Sequence, residues 1–312
     1  MKFEGDYFKG KIWNGKGFNL DSNIEFYIKN GKGYIKEYYY KNGKLEFEGN
    51  YENGERNGNG KEYYLNYSSN KLLKFEGEYL NGQRNGKGKE YYHYGKLQFE
   101  GEYLNGKRNG NVKEYYDNGK LKFEGEYFCG EKFGEGKEYY KLDGVKFEGE
   151  YLNGNKFKGR EYYENGELKY KGEYFNRKKN GKGKEYYDNG DIKIEGNYSN
   201  GKRHGKGKEY YYNTELKFEG EFLKGKRNGK GKSYYDNYQI EFEGEYLNGV
   251  KNGEAKEYYN NGKLEFEGEY LNGLRNGKGK EYYITGEIVF EGDFFNGKKW
   301  NGIGKDFHDM VK

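Results

Sequence analysis

Residues 75–92 read FEGEYLNGQRNGKGKEYY and carry the signals that decide the fold. Phe75, Gly77 and Tyr79 alternate with Glu76 and Glu78, which is the period of a strand with one apolar and one polar face. The Asn-Gly pair that follows readily adopts the positive φ angles of a tight hairpin turn, and the GKGKEYY segment then resumes an extended pattern. The stretch therefore predicts one antiparallel β-hairpin.

The same unit recurs along the chain, in most cases at intervals of 24 residues. A fixed period of this length predicts small supersecondary units that stack on their neighbours. We expect an all-β fold without helices: an elongated single twisted antiparallel sheet of tandem β-hairpin repeats, coiled into a trough with the aromatic rows on its concave face. The residues that start the units are Phe3, Phe47, Phe75, Phe99, Phe123, Phe147, Tyr170, Ile194, Phe218, Phe242, Phe266 and Phe290.

We expect residues 1–312 to form a single repeat array. Residues 1–46 hold degenerate N-terminal units that cap it, because 26–28 read FYI where the other units read FEG. The regular repeats occupy 47–304, with one lengthened connector at 67–71, and 305–312 form a short tail.

The composition restricts the class of protein. The chain has 54 Gly, 40 Tyr, no Pro and 35% charged residues, so it is too polar for a thick core and too aromatic for a disordered chain. No stretch approaches the roughly 20 apolar residues of a membrane-spanning helix, and no apolar signal segment precedes the first repeat. Cys129 is the only cysteine, which excludes an internal disulfide. We expect a cytoplasmic protein, peripheral to a membrane if it contacts one.

The units at 75–88 and 266–279 resemble MORN repeats, whose pattern runs aromatic-x-Gly-x-aromatic, then Asn-Gly, a basic residue and Gly-x-Gly. The resemblance covers nearly the whole chain. The 24-residue period and the Lys-Glu-Tyr-Tyr second strand are most similar to a variant MORN subclass. The resemblance implies one hairpin per repeat and a scaffolding role, since members of the family tether membranes, organise cytoskeletal structures or hold partner helices.

A row of basic residues stands nine positions after the starts of the units from Phe47 onward. Two strands per repeat would space these cations by about 10 Å along the sheet. We expect the acidic side chains to lie elsewhere in the strands, so that the charges are spatially segregated. The row then either keeps the sheet soluble or binds anionic lipid headgroups or a partner. This basic row consists of Arg56, Arg84, Arg108, Lys132, Lys156, Lys179, Arg203, Arg227, Lys251, Arg275 and Lys299.

The aromatic residues divide into three groups. We expect the ring four positions after each start to be structural and to cover the strand glycines. The second Tyr of each Tyr-Tyr pair is our candidate for a protein-binding surface. Trp13 and Trp300 lie in the terminal units and are interpreted as end caps or as contacts of a homodimer formed through a sheet end. The structural row consists of Tyr51, Tyr79, Tyr103, Tyr127, Tyr151, Tyr174, Tyr198, Phe222, Tyr246, Tyr270 and Phe294.

The sequence offers no catalytic, cofactor or metal site. His93, His204 and His308 are far apart in the chain, and the Gly-x-Gly steps do not lie between a strand and a helix as phosphate loops require. Interspersed Glu residues argue against nucleic acid as a partner.

The leading functional hypothesis is a non-enzymatic scaffold that binds a protein helix or peptide along an aromatic-lined trough. The first alternative is peripheral binding to anionic phospholipid membranes through the basic row. The second alternative is a self-assembling structural component.

Overall fold

The computed structural model describes residues 2–19, 21–39, 43–65 and 71–304. Two parts of the sequence analysis, the tail at 305–312 with His308 and most of the lengthened connector at 67–71, lie outside these residues. The described residues contain 26 β-strands and no helix, and none of them belongs to a helix long and apolar enough to cross a membrane. The predicted all-β fold of antiparallel hairpin repeats is confirmed.

The chain divides into two compact units, residues 1–156 and 157–312. Strand β14 (Asn155–Tyr162) begins at the end of the first unit. The strands of the first unit are β1 (Lys2–Phe8), β2 (Lys11–Phe18), β3 (Ile24–Ile28), β4 (Gly33–Tyr38), β5 (Leu45–Glu52), β6 (Glu55–Tyr63), β7 (Leu73–Leu80), β8 (Gln83–Tyr91), β9 (Leu97–Leu104), β10 (Lys107–Tyr115), β11 (Leu121–Phe128), β12 (Glu131–Tyr139) and β13 (Val145–Leu152).

The second unit continues the pattern. Its further strands are β15 (Leu168–Phe175), β16 (Lys178–Tyr186), β17 (Ile192–Ser199), β18 (Lys202–Tyr210), β19 (Leu216–Leu223), β20 (Lys226–Tyr234), β21 (Ile240–Leu247), β22 (Val250–Tyr258), β23 (Leu264–Leu271), β24 (Leu274–Tyr282), β25 (Ile288–Phe295) and β26 (Lys298–Gly304).

Neighbouring strands pair in chain order and antiparallel. In the first unit β1, β2 and β3 form a separate three-stranded sheet, and the regular series runs from β4 to β13. In the second unit the series runs from β14 to β26. The separate small sheet coincides with the N-terminal segment in which the sequence departs from the regular repeat.

The hairpin turns follow the predicted chemistry. In the turn between β7 and β8, Asn81 has φ 50° and Gly82 has φ 82°, the positive values that a two-residue hairpin loop requires. Most of these turns also bond to the preceding hairpin, as when the Gly106 amide donates to the carbonyl of Arg84 at 2.8 Å. Consecutive hairpins are therefore joined at their turns as well as along their strands.

A row of glycines crosses the strands, and the phenylalanines cover it. Gly77 pairs with Gly88 across β7 and β8, and Gly88 pairs with Gly101 of β9. The ring of Phe75 lies directly over the first pair, so that a Cβ atom at Gly88 would stand 2.6 Å from it. Phe75 is 0% exposed and meets Tyr79 and Tyr103 edge to face at 5.6 and 5.3 Å. The core is thus one layer of rings on a glycine-lined backbone.

Replacing Gly88 by alanine is expected to destabilise the protein by about 1–3 kcal/mol, because the added methyl group displaces the Phe75 ring from a fully packed site. Urea unfolding followed by circular dichroism measures the change. Lys87→Ala on the same strand is exposed and serves as the control, with an expected change within about 0.5 kcal/mol. Equal effects of the two substitutions would contradict this account of the glycine row.

Candidate functional site

The sheet has two chemically different faces. The packing face carries Phe75, Tyr79 and their equivalents. The ladder face is the opposite one and carries the alternating partners of these residues, such as Glu76. Both faces bear charged residues, and their surroundings decide which charges are available to a ligand.

On the packing face, Arg84 lies on top of the buried ring. Its guanidinium carbon stands 4.0 Å from the centroid of Phe75, a cation–π distance. Its nitrogen atoms lie 2.7 Å from Glu62 and 2.9 Å from Glu90, and only 20% of its side chain is exposed. Arg84 is therefore held between two carboxylates above an aromatic ring.

The same arrangement holds for the whole basic row. Each member lies within 5.5 Å of a ring centroid of the packing face. Each also forms an ion pair with a Glu of a second strand. The expected segregation of acidic from basic side chains is therefore wrong for this row. The carboxylates that interleave with it belong to Glu37, Glu62, Glu90, Glu114, Glu138, Glu185, Glu209, Glu257 and Glu281.

Sequence reasoning missed these glutamates as partners of the row. Each precedes a tyrosine of the second strand and stands opposite a unit's first aromatic residue, as Glu90 stands opposite Phe99. The recurring Lys-Glu-Tyr-Tyr segment was the available signal. The strand register was also needed, because only the register shows that the Glu of this segment shares a face with the basic residue of the neighbouring hairpin.

The pKa values reflect this packing. Burial of Glu62 would raise its carboxyl pKa, but hydrogen bonds from Arg84 and Tyr79 outweigh it and hold the pKa below its usual range. Burial, together with the hydrogen bond that it donates to Glu62, raises the pKa of the Tyr79 hydroxyl. Both shifts favour the charge states that the ion pairs of the packing face need at neutral pH.

The predicted structural row lies in the core layer. Tyr103 is 4% exposed and Phe222 is likewise 4% exposed. The rings meet the phenylalanines of their own and the preceding repeat edge to face, as Tyr246 meets Phe242 and Phe218 at 5.1 and 5.4 Å. These side chains hold neighbouring hairpins together.

The second tyrosine of each Tyr-Tyr pair is not an uncommitted surface, and this interpretation is corrected. The hydroxyl of Tyr92 donates to the carbonyl of Tyr115 in the next repeat at 2.8 Å, and Tyr116 donates likewise to Tyr139 at 2.7 Å. In several repeats a lysine covers the ring, as Lys217 covers Tyr211 at 5.1 Å. The second ring therefore joins successive hairpins.

The ladder face presents alternating lysines and glutamates on neighbouring strands. Lys89 is paired across the strands with Glu76 on one side and with Glu100 on the other. In most repeats the first tyrosine of the pair joins the ladder, as when Tyr91 donates to Glu76 at 2.6 Å. These side chains are open to solvent, with half of Lys61 exposed in its 3.9 Å contact with Glu76. In the first unit the ladder runs Lys36, Glu48, Lys61, Glu76, Lys89, Glu100, Lys113, Glu124, Lys137, Glu148.

A groove of about 640 Å³ lies on the ladder face of the first unit. Its floor includes the backbone of Gly77 and Gly88, and its walls include Lys61, Glu76 and Lys89. The expectation that the aromatic rows line the concave surface is therefore wrong for this groove, since the rings are packed on the opposite side of the same strands.

A row of exposed apolar residues, which we call the rim row, follows the buried aromatic residue of the first strands. Leu80 is 47% exposed and lies on the same strand face as Glu76. Sequence reasoning missed this row, although an apolar residue after each Glu-Tyr was visible in the repeat. Its members are Leu80, Leu104, Phe128 and Leu152 in the first unit and Phe175, Leu223, Leu247, Leu271 and Phe295 in the second.

The remaining candidates take different positions. Trp13 packs against Phe8 with ring centroids 5.0 Å apart. Trp300 is 75% exposed and contacts Phe295 at 5.7 Å. Cys129 is exposed at a turn. No cluster of His, Cys, Asp and Glu suited to a metal ion occurs in the part of the chain that the structure describes.

Replacing Arg84 by alanine is expected to lower the free energy of unfolding by about 2 kcal/mol or more, because Glu62 and Glu90 lose their shared cation in a half-buried site. Thermal and urea unfolding measure this loss. Lys89→Ala on the open ladder face is the matched control, with an expected loss below about 1 kcal/mol. A loss at Arg84 no larger than at Lys89 would show that the basic row is a surface feature.

The pH dependence of stability should have two limits. The carboxyl pKa values of Glu62, Glu90 and Glu257 are lowered in the fold despite burial, so their stabilisation is complete above the unfolded-state pKa of about 4.3 and is lost as the pH falls through the folded values. Burial and the bond to Glu124 raise the pKa of Tyr139 to about 12, so its contribution is complete below about pH 10 and is lost as the pH rises toward 12.

Unfolding midpoints in urea across the pH range, with tyrosinate absorbance on the alkaline side, test both limits. We expect a plateau at neutral pH and a fall at either end. A stability that keeps rising below pH about 4 would contradict the carboxylate assignment.

The comparisons with known proteins agree with the hairpin pattern. The model of the MORN repeat matches residues 47–69, 75–93, 195–214, 218–240 and 266–288. The model of the MORN repeat variant matches residues 35–53, 108–128, 158–176, 179–200 and 251–272. The search of curated proteins returned no match.

Among solved structures, the chain is similar to the crystal structures of TcdB2-TccC3 without its hypervariable C-terminal region and of TcdB2-TccC3-Cdc42. Both are 10% identical, with TM-scores of 0.20 and 0.19. The matches cover 89% and 90% of this chain and 16% of each of those chains. Scores this low carry no argument about function.

The two family models together match more than half of the residues, and both models match hairpins of the first and of the second unit. The chain belongs to the MORN repeat family.

Proposed function

We propose that this protein is a non-enzymatic repeat scaffold that binds a protein partner along its ladder face. The observation that carries the proposal is the groove of about 640 Å³ in the first unit, whose walls alternate Lys and Glu over a glycine floor. A groove of this size takes an extended segment or one side of a helix, with the ladder residues as its polar contacts.

The packing face is a poorer docking surface. Its phenylalanines, such as Phe75 and Phe99, are 0% exposed, so a partner helix finds no ring to cover. Its cations are paired with carboxylates, and a partner or lipid headgroup has to break those pairs before it gains a contact. The proposed protein-binding site therefore moves from the aromatic rows to the opposite side of the same strands.

The ladder face combines the features of a protein interface. Its ion pairs are exposed and weak, so a partner can exchange them at little cost. The rim row supplies apolar side chains beside the charged ones, among them Leu80 and Leu104 with about half of their surface exposed. In such an interface the apolar contacts contribute affinity, and the complementary charges fix the register of the partner.

The proposal includes a cytoplasmic location, which the single exposed Cys129 supports, because reducing compartments maintain free thiols. The proposal also assigns no catalytic role to the protein, because the recurring Glu and Lys residues neutralise one another in the repeats.

Two alternatives from the sequence stay predictions. Membrane binding predicts that the protein co-sediments with anionic liposomes and that salt abolishes this co-sedimentation. A protein that does not co-sediment at low salt does not have this function. Self-association through a sheet end predicts a dimer mass in light scattering, and Trp300→Lys should then yield the monomer.

The groove is tested with a photo-cross-linking amino acid placed at Asn59 or Asn111, which line it. We expect both positions to cross-link the same protein in cells that express the chain. The control position is Leu142, which is 77% exposed in the connector between β12 and β13. Cross-linking at Leu142 as strong as at the two groove positions would contradict a groove-directed interaction.

Direct binding of the purified cross-linked protein provides the second part of the test. Lys89→Glu reverses a wall charge of the groove and is expected to weaken binding about tenfold. Lys71→Glu changes the net charge equally at an exposed site outside the groove and should leave the affinity unchanged. Equal effects of the two substitutions would show that only net charge matters.

A further inference from the structure

The ladder face of the second unit departs from strict alternation at one place. Arg160 of β14 stands opposite Lys171 of β15, and Lys171 stands opposite Lys184 of β16. Lys171 occupies the position that a glutamate holds in the other regular repeats, because 170–172 read YKG where those repeats read FEG or IEG. Three cations therefore succeed one another across adjacent strands.

This succession is unfavourable for the fold alone. Residues directly opposite in an antiparallel pair have Cβ atoms about 5 Å apart, and like charges at that distance repel. Elsewhere in the second unit the alternation is kept from Lys184 onward, through Glu195, Lys208, Glu219, Lys232, Glu243, Lys256, Glu267, Lys280 and Glu291. The departure at Lys171 leaves this part of the face with an excess of positive charge.

A tyrosine hydroxyl marks the same place independently. In other repeats the first tyrosine of the pair donates to the ladder glutamate fifteen positions before it, as Tyr210 donates to Glu195 and Tyr234 to Glu219, both at 2.8 Å. The corresponding tyrosine here is Tyr186, and the residue fifteen positions before it is Lys171. The position that supplies a carboxylate to this hydroxyl in the other repeats therefore holds a lysine here.

The neighbouring acids are engaged in other contacts. Glu195 lies 2.9 Å from Lys184 and also accepts the hydroxyl of Tyr210. Glu173 stands opposite Lys158 on the neighbouring strand, and its carboxylate is turned toward Gly181, 2.0 Å from the position that a Cβ atom there would take. The carboxylate that Lys171 displaced has no substitute from these two residues.

We propose that this cluster, Arg160, Lys171, Lys184 and the hydroxyl of Tyr186, binds an acidic segment of a protein partner. A partner Asp or Glu supplies the carboxylate that the other repeats supply themselves, accepts from Tyr186 and lies between cations on both sides. A further acidic residue of the segment meets the adjacent lysines, Lys158 and Lys182, which stand on the same strands. The inference rests on the proposed function in that a partner carries the segment, and it gives the second unit its own contact.

The test uses the full chain and a fluorescein-labelled peptide of alternating Glu and Ser, with the corresponding Gln-Ser peptide as the uncharged probe. Fluorescence anisotropy at low salt is expected to show binding of the Glu peptide alone. Lys171→Glu restores the regular ladder, so it should fold, and it is expected to weaken binding about tenfold or more because attraction becomes repulsion. Lys224→Glu, an equal charge change at an exposed turn, should leave the affinity within about twofold.

A gain-of-site variant strengthens the test. Glu219→Lys places three cations in succession with Lys208 and Lys232 and removes the acceptor of the Tyr234 hydroxyl. We expect it to bind a second Glu peptide per chain. The proposal is overturned if Glu219→Lys still binds one Glu peptide per chain and Lys171→Glu binds the Glu peptide as tightly as the unchanged protein.

Two competitors separate an acidic protein segment from other anions. Inorganic phosphate and sodium chloride are compared at equal ionic strength, and we expect them to displace the peptide equally. Displacement by phosphate at a far lower ionic strength than chloride requires would overturn the choice of a carboxylate ligand. Vesicles of anionic lipid that bind through Lys171 while the peptide does not also overturn it. Failure at this cluster leaves the cross-linking result at Asn59 and Asn111 unaffected, so the two proposals fail separately.

Discussion

The structure depends on one repeated contact, an aromatic ring laid flat on a pair of glycines from adjacent strands. Phe75 covers Gly77 and Gly88 at distances that leave no room for a Cβ atom. Glycine weakens an isolated strand, and here that cost is offset by nearly complete burial of a large ring on most hairpins, worth roughly 1.5–3 kcal/mol per ring. A chain with 35% charged residues can fold in this way because its core is only one ring thick.

The same contact determines where the charges lie. A buried ring leaves its outer π face available, and Arg84 occupies that face at 4.0 Å. The cation in turn attracts the carboxylate of Glu62 from the preceding second strand and that of Glu90 from its own strand. Ring, cation and carboxylates are thus one packed group, and removing any member exposes the others. The row looks in the sequence like a line of available cations, but in the fold it is part of the packed layer. For this reason the proposed binding surface is the opposite face.

The sequence was sufficient for the elements that depend on strand alternation and turn chemistry within a hairpin. Alternation in 75–79 and the Asn81-Gly82 turn are local, so the strands, the turns and the burial of Tyr79 could be predicted from them. The pairing of Arg84 with Glu62 and the bond of Tyr92 could not, because both contacts cross to another hairpin and depend on the register between strands. The position of the groove was missed for the same reason: alternation separates the two faces but does not say which one is concave.

In a repeat protein, a departure from the pattern is informative when the structure shows whether it is compensated. Ser233 replaces the packing-face glutamate of its repeat, and it is 4% exposed, but its hydroxyl donates to Glu241 at 2.9 Å. Glu241 itself stands where Lys217 stands in the preceding unit, so a carboxylate is returned to the same neighbourhood and the charge pattern of the packing face survives. At Lys171 the opposite holds: the lost glutamate is replaced by a cation, and neither Glu173 nor Glu195 turns toward it. A compensated change preserves the charge pattern within the fold. An uncompensated change on an exposed face leaves a charge without its usual counterion, which a partner can supply.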